Sequence, residues 1–425
     1  MTQIVDILII GAGATGLMTA RELAKAGKKV IIVEARDRIG GRIHPIPKDV
    51  FGYEAQLGAE FVHGEAKVTK ALMKEAGLTF IPESGEIWTV RSGELMKAQS
   101  FVPSNKLFRE RLQQLTEDIS VAAFLQKYFS GKEYDVLRNE ITKVVEGYDA
   151  ADSTLISTLE LRNEWLGNND LEGGVIKEGY GALLNFLKSE CLKYGVEIHL
   201  NEKVERVVYD TENTKVTISN GTEYVARKIV VTVAIPTLSS IQFTPPITQK
   251  IQAASKIGFG SVVKGILQFK ERWWINGLGK DLSKLSFLLS NEKFCTVWTQ
   301  YPETYPTLTV WSAGPIAQTL AKASETEIFE EVLISLSNIF KIDKETIRQQ
   351  VVVSRFANWP ADPFTQGAYS YTRFDTGTAY EKLAEPINDM IFFAGEALYT
   401  GKDTATVEGA LANGKETAER ILRST

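Results

Sequence analysis

The chain opens on an apolar stretch that ends at a run of glycines. Positions Ile4–Ile10 are apolar except for one aspartate, and a glycine turn follows. After the turn, small or apolar residues recur at Leu17, Ala20 and Leu23, the spacing of one face of an α-helix. A second apolar stretch, Val30–Val33, comes next. This order predicts a strand–helix–strand unit whose strands are buried on both faces.

The pattern changes along the rest of the chain. Residues 68–165 have mostly helical periodicity, whereas later segments alternate with the period of strands. Further helices are predicted at residues 120–128, 132–145, 179–194, 325–340 and 406–422. Further strands are predicted at residues 196–200, 204–209, 215–219, 229–234, 262–269, 294–299, 308–311, 351–356 and 391–394. The fold class is therefore α/β at the start and α+β overall, with one domain interleaved with another.

Composition and charge narrow the class of protein. The 425 residues are 44% hydrophobic and 24% charged, as in ordinary globular proteins, and the length favours two or three domains. The net charge is -5 without a block of one sign, which argues against a nucleic-acid partner. No apolar run approaches the roughly 20 residues of a membrane helix, so we expect no membrane partner.

Cysteine and histidine are sparse. Two cysteines, Cys191 and Cys295, and three scattered histidines supply neither a disulfide framework nor the ligand set of a zinc site. We therefore expect a reduced, cytoplasmic location and no metal.

The glycine turn carries the first chemical signal. Gly11, Gly13 and Gly16 form the pattern G-x-G-x-x-G between the predicted strand and helix. In that context the glycines allow the backbone to approach a pyrophosphate, which the helix N-terminus attracts. Glu34 ends the second strand, 34 − 16 = 18 residues after the last glycine, where a carboxylate can accept ribose hydroxyls. The unit predicts a dinucleotide site, and nicotinamide and flavin cofactors both fit it.

The next residues separate these two cofactors. Residues 34–42 read EARDRIGGR, in which paired glycines and Arg42 add an anion-binding turn and a guanidinium near the same diphosphate. This stretch resembles the extended dinucleotide fingerprint of FAD-dependent oxidases. Six further stretches contribute to a resemblance that extends along the chain: LGAEFVHG (57–64), KEGYGALL (177–184), SVVKGILQF (261–269), NWPADPFTQGAYSY (358–371), FFAGE (392–396) and TATVEGALANGKETAERIL (404–422). With them, the chain resembles the flavin-containing amine oxidases, the family of monoamine and polyamine oxidases.

The resemblance implies an FAD-binding domain of Rossmann-like fold and a set of residues around the cofactor. The domain comprises residues 1–65, 175–245 and 365–425, and a substrate domain of mixed sheet and helices comprises residues 66–174 and 246–364. The implied cofactor residues are Gly11, Gly13, Ala14, Thr15, Gly16, Glu34, Ala35, Arg36, Gly41, Arg42, Gly58, Ala59, Glu60, Phe61, Val204, Trp359, Gly395, Glu396, Thr406 and Val407. Monoamine oxidases attach flavin through a cysteine at the position of Ala368, so here the FAD is expected to be non-covalent.

Four residues are candidates for the chemistry. Lys264 lies within an apolar strand, and the matching lysine of the family holds a water at flavin N5; the alternative is a lysine that extends to solvent from a sheet edge. His63 and Glu60 match positions that reach the substrate side of the flavin in polyamine oxidases, and a structural role is equally open for both. Tyr369 matches an aromatic position near the flavin.

The substrate pocket departs from the monoamine oxidases at one position. Those enzymes carry a second tyrosine where this chain has Thr406, so the resemblance favours a polyamine-type or broader amine site. Trp273, Trp274, Trp298 and Trp311 are candidates for the pocket wall, although aromatic residues on core strands are usually packing.

The implied reaction is oxidation of a primary or secondary amine. The carbon beside nitrogen gives a hydride to flavin N5, water hydrolyses the imine, and O2 becomes H2O2. An L-amino-acid oxidase is one alternative and needs a cation for the substrate carboxylate, such as Arg162 or Arg355. A flavin-dependent desaturase or protoporphyrinogen-type oxidase, and a non-enzymatic FAD scaffold or histone-tail binder, are the others. The sequence carries no signal for an oligomeric state.

Overall fold

A computed structural model of the protein describes residues 4–91, 93–100, 105–166 and 173–424. Its strands are β1 (Ile4–Ile10), β2 (Val30–Val33), β3 (Pro45–Ile46), β4 (Ala55–Gln56), β5 (Phe61–Val62), β6 (Phe80–Pro82), β7 (Glu86–Arg91), β8 (Glu94–Ala98), β9 (Gly174–Ile176), β10 (Glu197–His199), β11 (Val204–Tyr209), β12 (Thr214–Ile218), β13 (Glu223–Val231), β14 (Gln242–Thr244), β15 (Gly258–Phe259), β16 (Val262–Phe269), β17 (Leu285–Leu289), β18 (Thr296–Trp298), β19 (Thr307–Ala313), β20 (Val351–Asn358), β21 (Ser370–Tyr371) and β22 (Ile391–Phe393). Its α-helices are α1 (Ala14–Lys25), α2 (Lys48–Phe51), α3 (Lys67–Ala76), α4 (Lys106–Gln113), α5 (Val121–Tyr128), α6 (Asp135–Gly147), α7 (Thr158–Leu166), α8 (Tyr180–Lys193), α9 (Thr248–Ala254), α10 (Gly314–Thr319), α11 (Glu325–Phe340), α12 (Lys344–Gln350), α13 (Ala379–Ala384) and α14 (Val407–Arg423).

The first sheet is built around the glycine-turn unit. Its order is β10-β2-β1-β13-β12-β11-β14, and β22 pairs in parallel with the end of β13. β1 lies between β2 and β13, parallel to both, with Ile9 opposite Ile32 on one side and Val230 on the other. The predicted strand–helix–strand unit is confirmed.

Both faces of this sheet are covered. Ile7 and Ile9 pack in a core with side chains of α1, α8 and α14, whereas Leu8 and Ile10 face a core that includes β11, α9 and α13. Consecutive apolar residues are therefore needed from Ile7 to Ile10, because side chains on both faces of β1 are buried there.

The second sheet has the order β20-β16-β19-β18-β17-β7-β8. Its neighbours are antiparallel except for β17 and β7. On the central strand β16, Val263 and Leu267 pack against α11, and Val262 and Ile266 lie in two small clusters on the opposite face. Side chains alternate between the two faces of a strand, and Lys264 is two residues from both Val262 and Ile266. Lys264 therefore lies on the face away from α11. The fold class predicted from the sequence, a parallel-sheet α/β unit with a second mixed sheet and helices, is confirmed.

The helical prediction for residues 68–165 is wrong between residues 80 and 98. This part contains β6 and the hairpin β7–β8, which forms the edge of the second sheet. Trp88 and Leu95 are the buried side chains of the hairpin, and Gly93 adopts a φ of 81° at its turn. Because the other residues of β7 and β8 are partly or fully exposed, the apolar alternation of these strands is weak. The helices predicted at residues 120–128 and 132–145 are present as α5 and α6.

Trp273 and Trp274, which the sequence suggested as candidates for the pocket wall, belong to a hydrophobic core instead. Trp274 is buried, and both rings pack edge-on against Phe269, with Trp273 also against Phe340. These two tryptophans are core residues behind the second sheet. Among the helices of the described ranges, none is long and apolar enough to cross a membrane.

Candidate active site

A cavity of about 1750 Å³ lies between the two sheets and is lined by both. Pockets for one small ligand usually measure about 300–1,000 Å³. This cavity therefore has room for a large molecule and a small one together.

The glycine turn forms one end of the cavity. Gly11 has a φ of 109°, and a Cβ added to Gly16 would lie 2.0 Å from the Gly11 carbonyl oxygen. A Cβ added to Gly58 would lie 1.8 Å from the Arg42 carbonyl oxygen, so these turns need glycine to close. A Cβ added to Gly13 would meet no atom within 4 Å, because this glycine faces the cavity. Bare backbone at this end leaves space for a ligand to come close.

Glu34 follows β2 and points back at the glycine turn. Its Oε2 accepts the Ala12 N–H at 2.7 Å and its Oε1 accepts the Arg36 N–H at 2.9 Å. The carboxylate is buried and lines the cavity. Since each carboxylate oxygen has two acceptor sites, Glu34 is held rigidly while retaining capacity for a ligand.

The two arginines of the EARDRIGGR stretch are anchored by ion pairs. Arg42 donates to both carboxylate oxygens of Glu396, at 2.9 and 3.1 Å, and to the Ala368 carbonyl at 2.7 Å. Arg36 donates to Asp362 at 2.6 and 2.8 Å. Burial opposes ionisation of Glu396, but the charge and hydrogen bonds of Arg42, together with backbone N–H donors, outweigh it, so the pKa of Glu396 lies below its usual value. Both guanidiniums line the cavity but are already paired with residues distant in sequence.

Nearly all cofactor residues predicted from the sequence share this cavity. Gly16 is the exception: it packs against Gly11 behind the turn and is not in the lining. The others that line the cavity, besides those described, are Ala14, Thr15, Ala35, Gly41, Ala59, Glu60, Phe61, Val204, Trp359, Gly395, Thr406 and Val407. Thr406 is also the N-cap of α14, because its hydroxyl accepts the Gly409 N–H at 3.2 Å.

A buried ion pair lies on the wall formed by the second sheet. The side chains of Lys264 and Glu60 are 1% and 7% exposed, and Lys264 Nζ donates to Glu60 Oε2 at 2.7 Å and to the Gly58 carbonyl at 3.1 Å. Gln300 donates to Glu60 Oε1 at 2.9 Å, and the indole N–H of Trp298 donates to Oε2 at 3.3 Å. The alternative of a solvent-reaching lysine is wrong. Burial moves the pKa of Lys264 below its usual value, and Glu60 opposes that shift.

His63 and Tyr369 line the same cavity. Burial lowers the pKa of His63 to about 4, so its imidazole is neutral near pH 7. The Tyr369 hydroxyl donates to the Tyr148 carbonyl at 2.6 Å, which fixes the ring. Trp298 and Trp311 are in the lining as well, as predicted.

The two arginines considered for a substrate carboxylate are elsewhere. Arg162 donates to the Leu115 carbonyl at 2.8 Å, and Arg355 is exposed and donates to its neighbour Ser354. Neither lines the cavity. The geometry therefore gives no support to the amino-acid oxidase alternative through these residues.

Sequence reasoning missed a group of acidic residues on the cavity wall. Asp149 follows α6, Glu160 and Glu164 lie on α7, and Glu83 follows β6. Burial and the charge of Glu164 raise the pKa of Asp149 well above its usual value, and burial and Glu160 raise the pKa of Glu164 to about 7. No motif marks these residues. The available signal was only their position in a segment assigned to the substrate domain.

Comparisons with known proteins agree with this geometry. The family profile described as "Flavin containing amine oxidoreductase" matches residues 14–422. Probable polyamine oxidase 4 of Arabidopsis thaliana is 28% identical over 457 residues, covering 98% of this chain and 87% of that protein. Lysine-specific histone demethylase 2 of Homo sapiens is 27% identical over 98% of this chain but only 53% of its own length.

Two solved structures share the fold. Putrescine oxidase with putrescine bound superimposes with a TM-score of 0.82 and 20% identity over 100% of both chains. Cyclohexylamine oxidase from Brevibacterium oxydans gives a TM-score of 0.80 with 20% identity over 99% of both chains. Because the family profile spans almost the whole chain, the protein belongs to the flavin-containing amine oxidoreductases and uses FAD to oxidise CH–NH groups of amines.

Proposed function

We propose that the protein oxidises primary or secondary amines with O2 as the electron acceptor and releases H2O2. The observation that carries the proposal is the buried Lys264–Glu60 pair, which shares one cavity with the glycine turn. When bound, FAD would supply the two-electron acceptor for the C–H bond beside nitrogen and would pass these electrons to O2 to give H2O2. The imine that remains after loss of the nitrogen proton is hydrolysed by water to a carbonyl compound and a shortened amine or ammonia.

The glycine-lined end fits FAD. In our proposal the open face of Gly13 and the N-terminus of α1 receive the pyrophosphate, and Glu34 accepts the ribose hydroxyls of the AMP half. Gly41, the backbone of residues 58–61 and the N-terminus of α14 complete the wall. The remaining predicted cofactor residues lie in the same lining and are proposed as its contacts.

The cofactor is proposed to be held without a covalent bond. Ala368 offers no thiol at the position where monoamine oxidases carry a cysteine. Cys295 lines the cavity, but burial raises the pKa of its thiol, which disfavours the reactive thiolate.

Lys264 is proposed to hold a water beside the reacting carbon. An ammonium has three N–H donors, and two of those of Lys264 are used by Glu60 and the Gly58 carbonyl. The third is left for a water, and Glu60 keeps the ammonium charged and fixed in direction. Desolvation in the aromatic part of the cavity favours the neutral amine, which is the form that can lose a hydride. Neutral His63 and the fixed ring of Tyr369 orient the amine in this proposal.

We also keep the predicted division of the chain as a proposal. Residues 1–65, 175–245 and 365–425 supply the first sheet and the glycine turn, and residues 66–174 and 246–364 supply the second sheet and helices α4–α7. Both cysteines are free thiols, which supports a reducing, cytoplasmic location as a further part of the proposal.

The test is anaerobic reduction of the flavin. The purified yellow protein is mixed without O2 with spermine, spermidine, putrescine, phenylethylamine or common L-amino acids, and the absorbance of oxidised flavin is followed. We expect bleaching by at least one amine class, then recovery in air with one H2O2 per flavin turnover. Bleaching by amino acids alone, or no bleaching in a protein that retains FAD, would contradict the proposal.

A further inference from the structure

The carboxylate of Glu60 is held from two sides. Its Oε2 accepts from Lys264 at 2.7 Å and from the indole N–H of Trp298 at 3.3 Å. Its Oε1 accepts from the side-chain amide of Gln300 at 2.9 Å. Only 7% of the Glu60 side chain is exposed, so these three donors replace solvent around the carboxylate. The direction in which Oε2 points therefore depends on the bond that Oε1 makes.

Gln300 differs from the other two donors in its location. Lys264 and Trp298 line the cavity, whereas Gln300 is not in the lining. Gln300 follows β18 and reaches Glu60 from outside the cavity. It therefore acts on the carboxylate without direct contact to a ligand in the cavity.

The backbone around Gln300 is fixed. The Thr299 N–H donates to the Ser286 carbonyl at 3.1 Å, and the Tyr301 N–H donates to the Thr299 hydroxyl at 3.2 Å. Thr299 is buried, and its hydroxyl in turn donates to the Leu285 carbonyl. The amide of Gln300 is thus presented from a segment that is tied to β17.

Fixing this carboxylate also fixes the ammonium of Lys264. The last torsion of a glutamate side chain is broad, so without a bond to Oε1 the carboxylate of Glu60 can rotate. Lys264 Nζ has two other contacts, the Gly58 carbonyl at 3.1 Å and the Trp298 ring, whose centre is 5.0 Å away. If Glu60 rotates, the ion pair no longer sets the direction of the Lys264 N–H groups.

We propose that Gln300 is a positioning residue for amine oxidation, because it holds Glu60 in the orientation that directs the Lys264 ammonium into the cavity. The inference rests on the proposed function, since it takes Lys264 to act beside the reacting carbon. Hydrogen bonds that orient a functional side chain from behind change activity by about 10- to 100-fold in metalloenzymes, and we expect the lower end of this range here.

The experiment compares Gln300→Met with the wild type in single turnovers. Methionine keeps the length of glutamine and removes the donor to Glu60. The flavin is reduced without O2 by the amine of the panel above that reduces it fastest, then reoxidised in air, and both limiting rates are measured by absorbance. We expect Gln300→Met to lower, by about 10-fold, whichever of these rates Lys264→Met lowers. The Kd of the amine should stay within about twofold, because Gln300 does not touch the ligand.

Gln56→Met is the matched control. Gln56 donates to Glu54 Oε1 at 2.9 Å, which is the same kind of bond at the same distance, and it too lies outside the lining of the cavity. Glu54 accepts the Gly181 N–H instead of a lysine. We expect both rates of this variant to be within about twofold of the wild type. FAD content and the thermal midpoint are checked for every variant.

A second comparison separates positioning from a purely structural role. Gln300→Met is repeated in the variant that carries Lys264→Met and Glu60→Gln. If Gln300 acts through the ion pair, the substitution should leave the rates of that variant unchanged within about twofold. It should also lower the urea midpoint less in this background, because a hydrogen bond to a neutral amide is weaker than one to a carboxylate.

Rates of Gln300→Met equal to those of the wild type would overturn the inference, as would the same loss of rate in both backgrounds or in Gln56→Met. If amines are oxidised but Lys264→Met changes neither rate, the inference fails and the oxidase function stands. If no amine reduces the wild-type flavin, the proposed function fails, and the hold of Gln300 on the ion pair is judged by the urea midpoints. A smaller shift in the background without the pair supports it, and an equal shift refutes it.

A second variant covers the case in which Gln300→Met does not fold. Gln300→Asn keeps the amide but is one methylene too short to reach Glu60, and it is expected to give the same losses. It takes the place of Gln300→Met in each comparison, with the same outcomes for and against the inference.

Discussion

Lys264 and Glu60 form a pair of buried charges that depend on each other. Each is almost fully withdrawn from solvent, and neither has another partner of opposite charge among the residues that the structure describes. Breaking such a pair by removing one partner usually costs about 3–5 kcal/mol, because it leaves an uncompensated buried charge, whereas replacing both partners costs much less.

Lys264→Met should therefore destabilise the protein more than Lys264→Met combined with Glu60→Gln. We expect the single change to lower the free energy of unfolding by about 3–5 kcal/mol and the double change to recover most of that loss. Both variants should still bind FAD but should reduce or reoxidise it slowly, because the ammonium is absent in each. Urea unfolding and stopped-flow flavin absorbance measure the two effects. A double variant as unstable as the single one, or flavin rates equal to the wild type, would be inconsistent with the assigned role.

At the scale of single residues, the sequence identifies candidates that are marked by a pattern of close neighbours along the chain. Gly11, Gly13 and Glu34 could be predicted to line the cavity because the pattern that marks them involves only a turn and a strand end close together in the sequence. The partnership of Glu60 and Lys264 spans 204 residues, so the sequence suggested each residue but not the ion pair. Asp149 belongs to no motif, and its place on the cavity wall is seen only in the structure.

At the scale of elements, α14 sets the position of the helix that follows the glycine turn. The Thr15 hydroxyl donates to the Ala410 carbonyl at 2.9 Å, and the Thr19 hydroxyl lies 3.0 Å from the Gly414 carbonyl oxygen. A Cβ added to Gly414 would lie 2.6 Å from the Thr15 carbonyl oxygen. The two helices are in contact through their backbones at this point.

Gly414→Ala should push α14 away from α1. We expect a loss of about 1–3 kcal/mol, the usual cost of overpacking, together with reduced FAD retention because Thr15 lines the cavity. Dialysis followed by flavin quantification, with thermal unfolding in parallel, tests both effects. Lys415→Ala is the control, since Lys415 is exposed on the same helix. Unchanged FAD content in Gly414→Ala would separate the helix contact from cofactor binding.

Helices and strands were predicted well where a regular pattern of buried apolar residues runs along their whole length. The predicted bounds of β16 and α11 agree with the structure because buried residues run along the whole of β16 and recur with helical spacing along one face of α11. The hairpin β7–β8 was missed since, at the sheet edge, few of its side chains are buried. Trp273 and Trp274 were assigned no firm place because an aromatic side chain fits a pocket wall and a core equally well.

At the scale of the whole molecule, the cavity separates two sheets that have their own hydrophobic cores. A ligand that binds the folded state alone stabilises it by mass action, by about 2.7 kcal/mol at a concentration 100 times its Kd. Cofactor binding is therefore expected to contribute measurably to the stability of the molecule.

Removal of FAD should lower the thermal midpoint, and FAD should restore it. FMN should restore much less, because it lacks the AMP ribose that Glu34 is proposed to bind. Differential scanning calorimetry of the stripped protein with no addition, with FMN and with FAD measures this difference. Full recovery with FMN would show that Glu34 and the glycine turn contribute little to cofactor binding.

The contact between α1 and α14, which lie far apart along the chain, has a consequence for biosynthesis. α1 lies against α14, and β13, which flanks β1, also pairs with β22. The glycine turn leaves the ribosome well before the strand and helix that complete its surroundings, β22 and α14, because both follow it by more than 370 residues. Flavin insertion should therefore wait until β22 and α14 have been synthesised, and a chain stalled before residue 391 would expose the apolar side of α1 to chaperones.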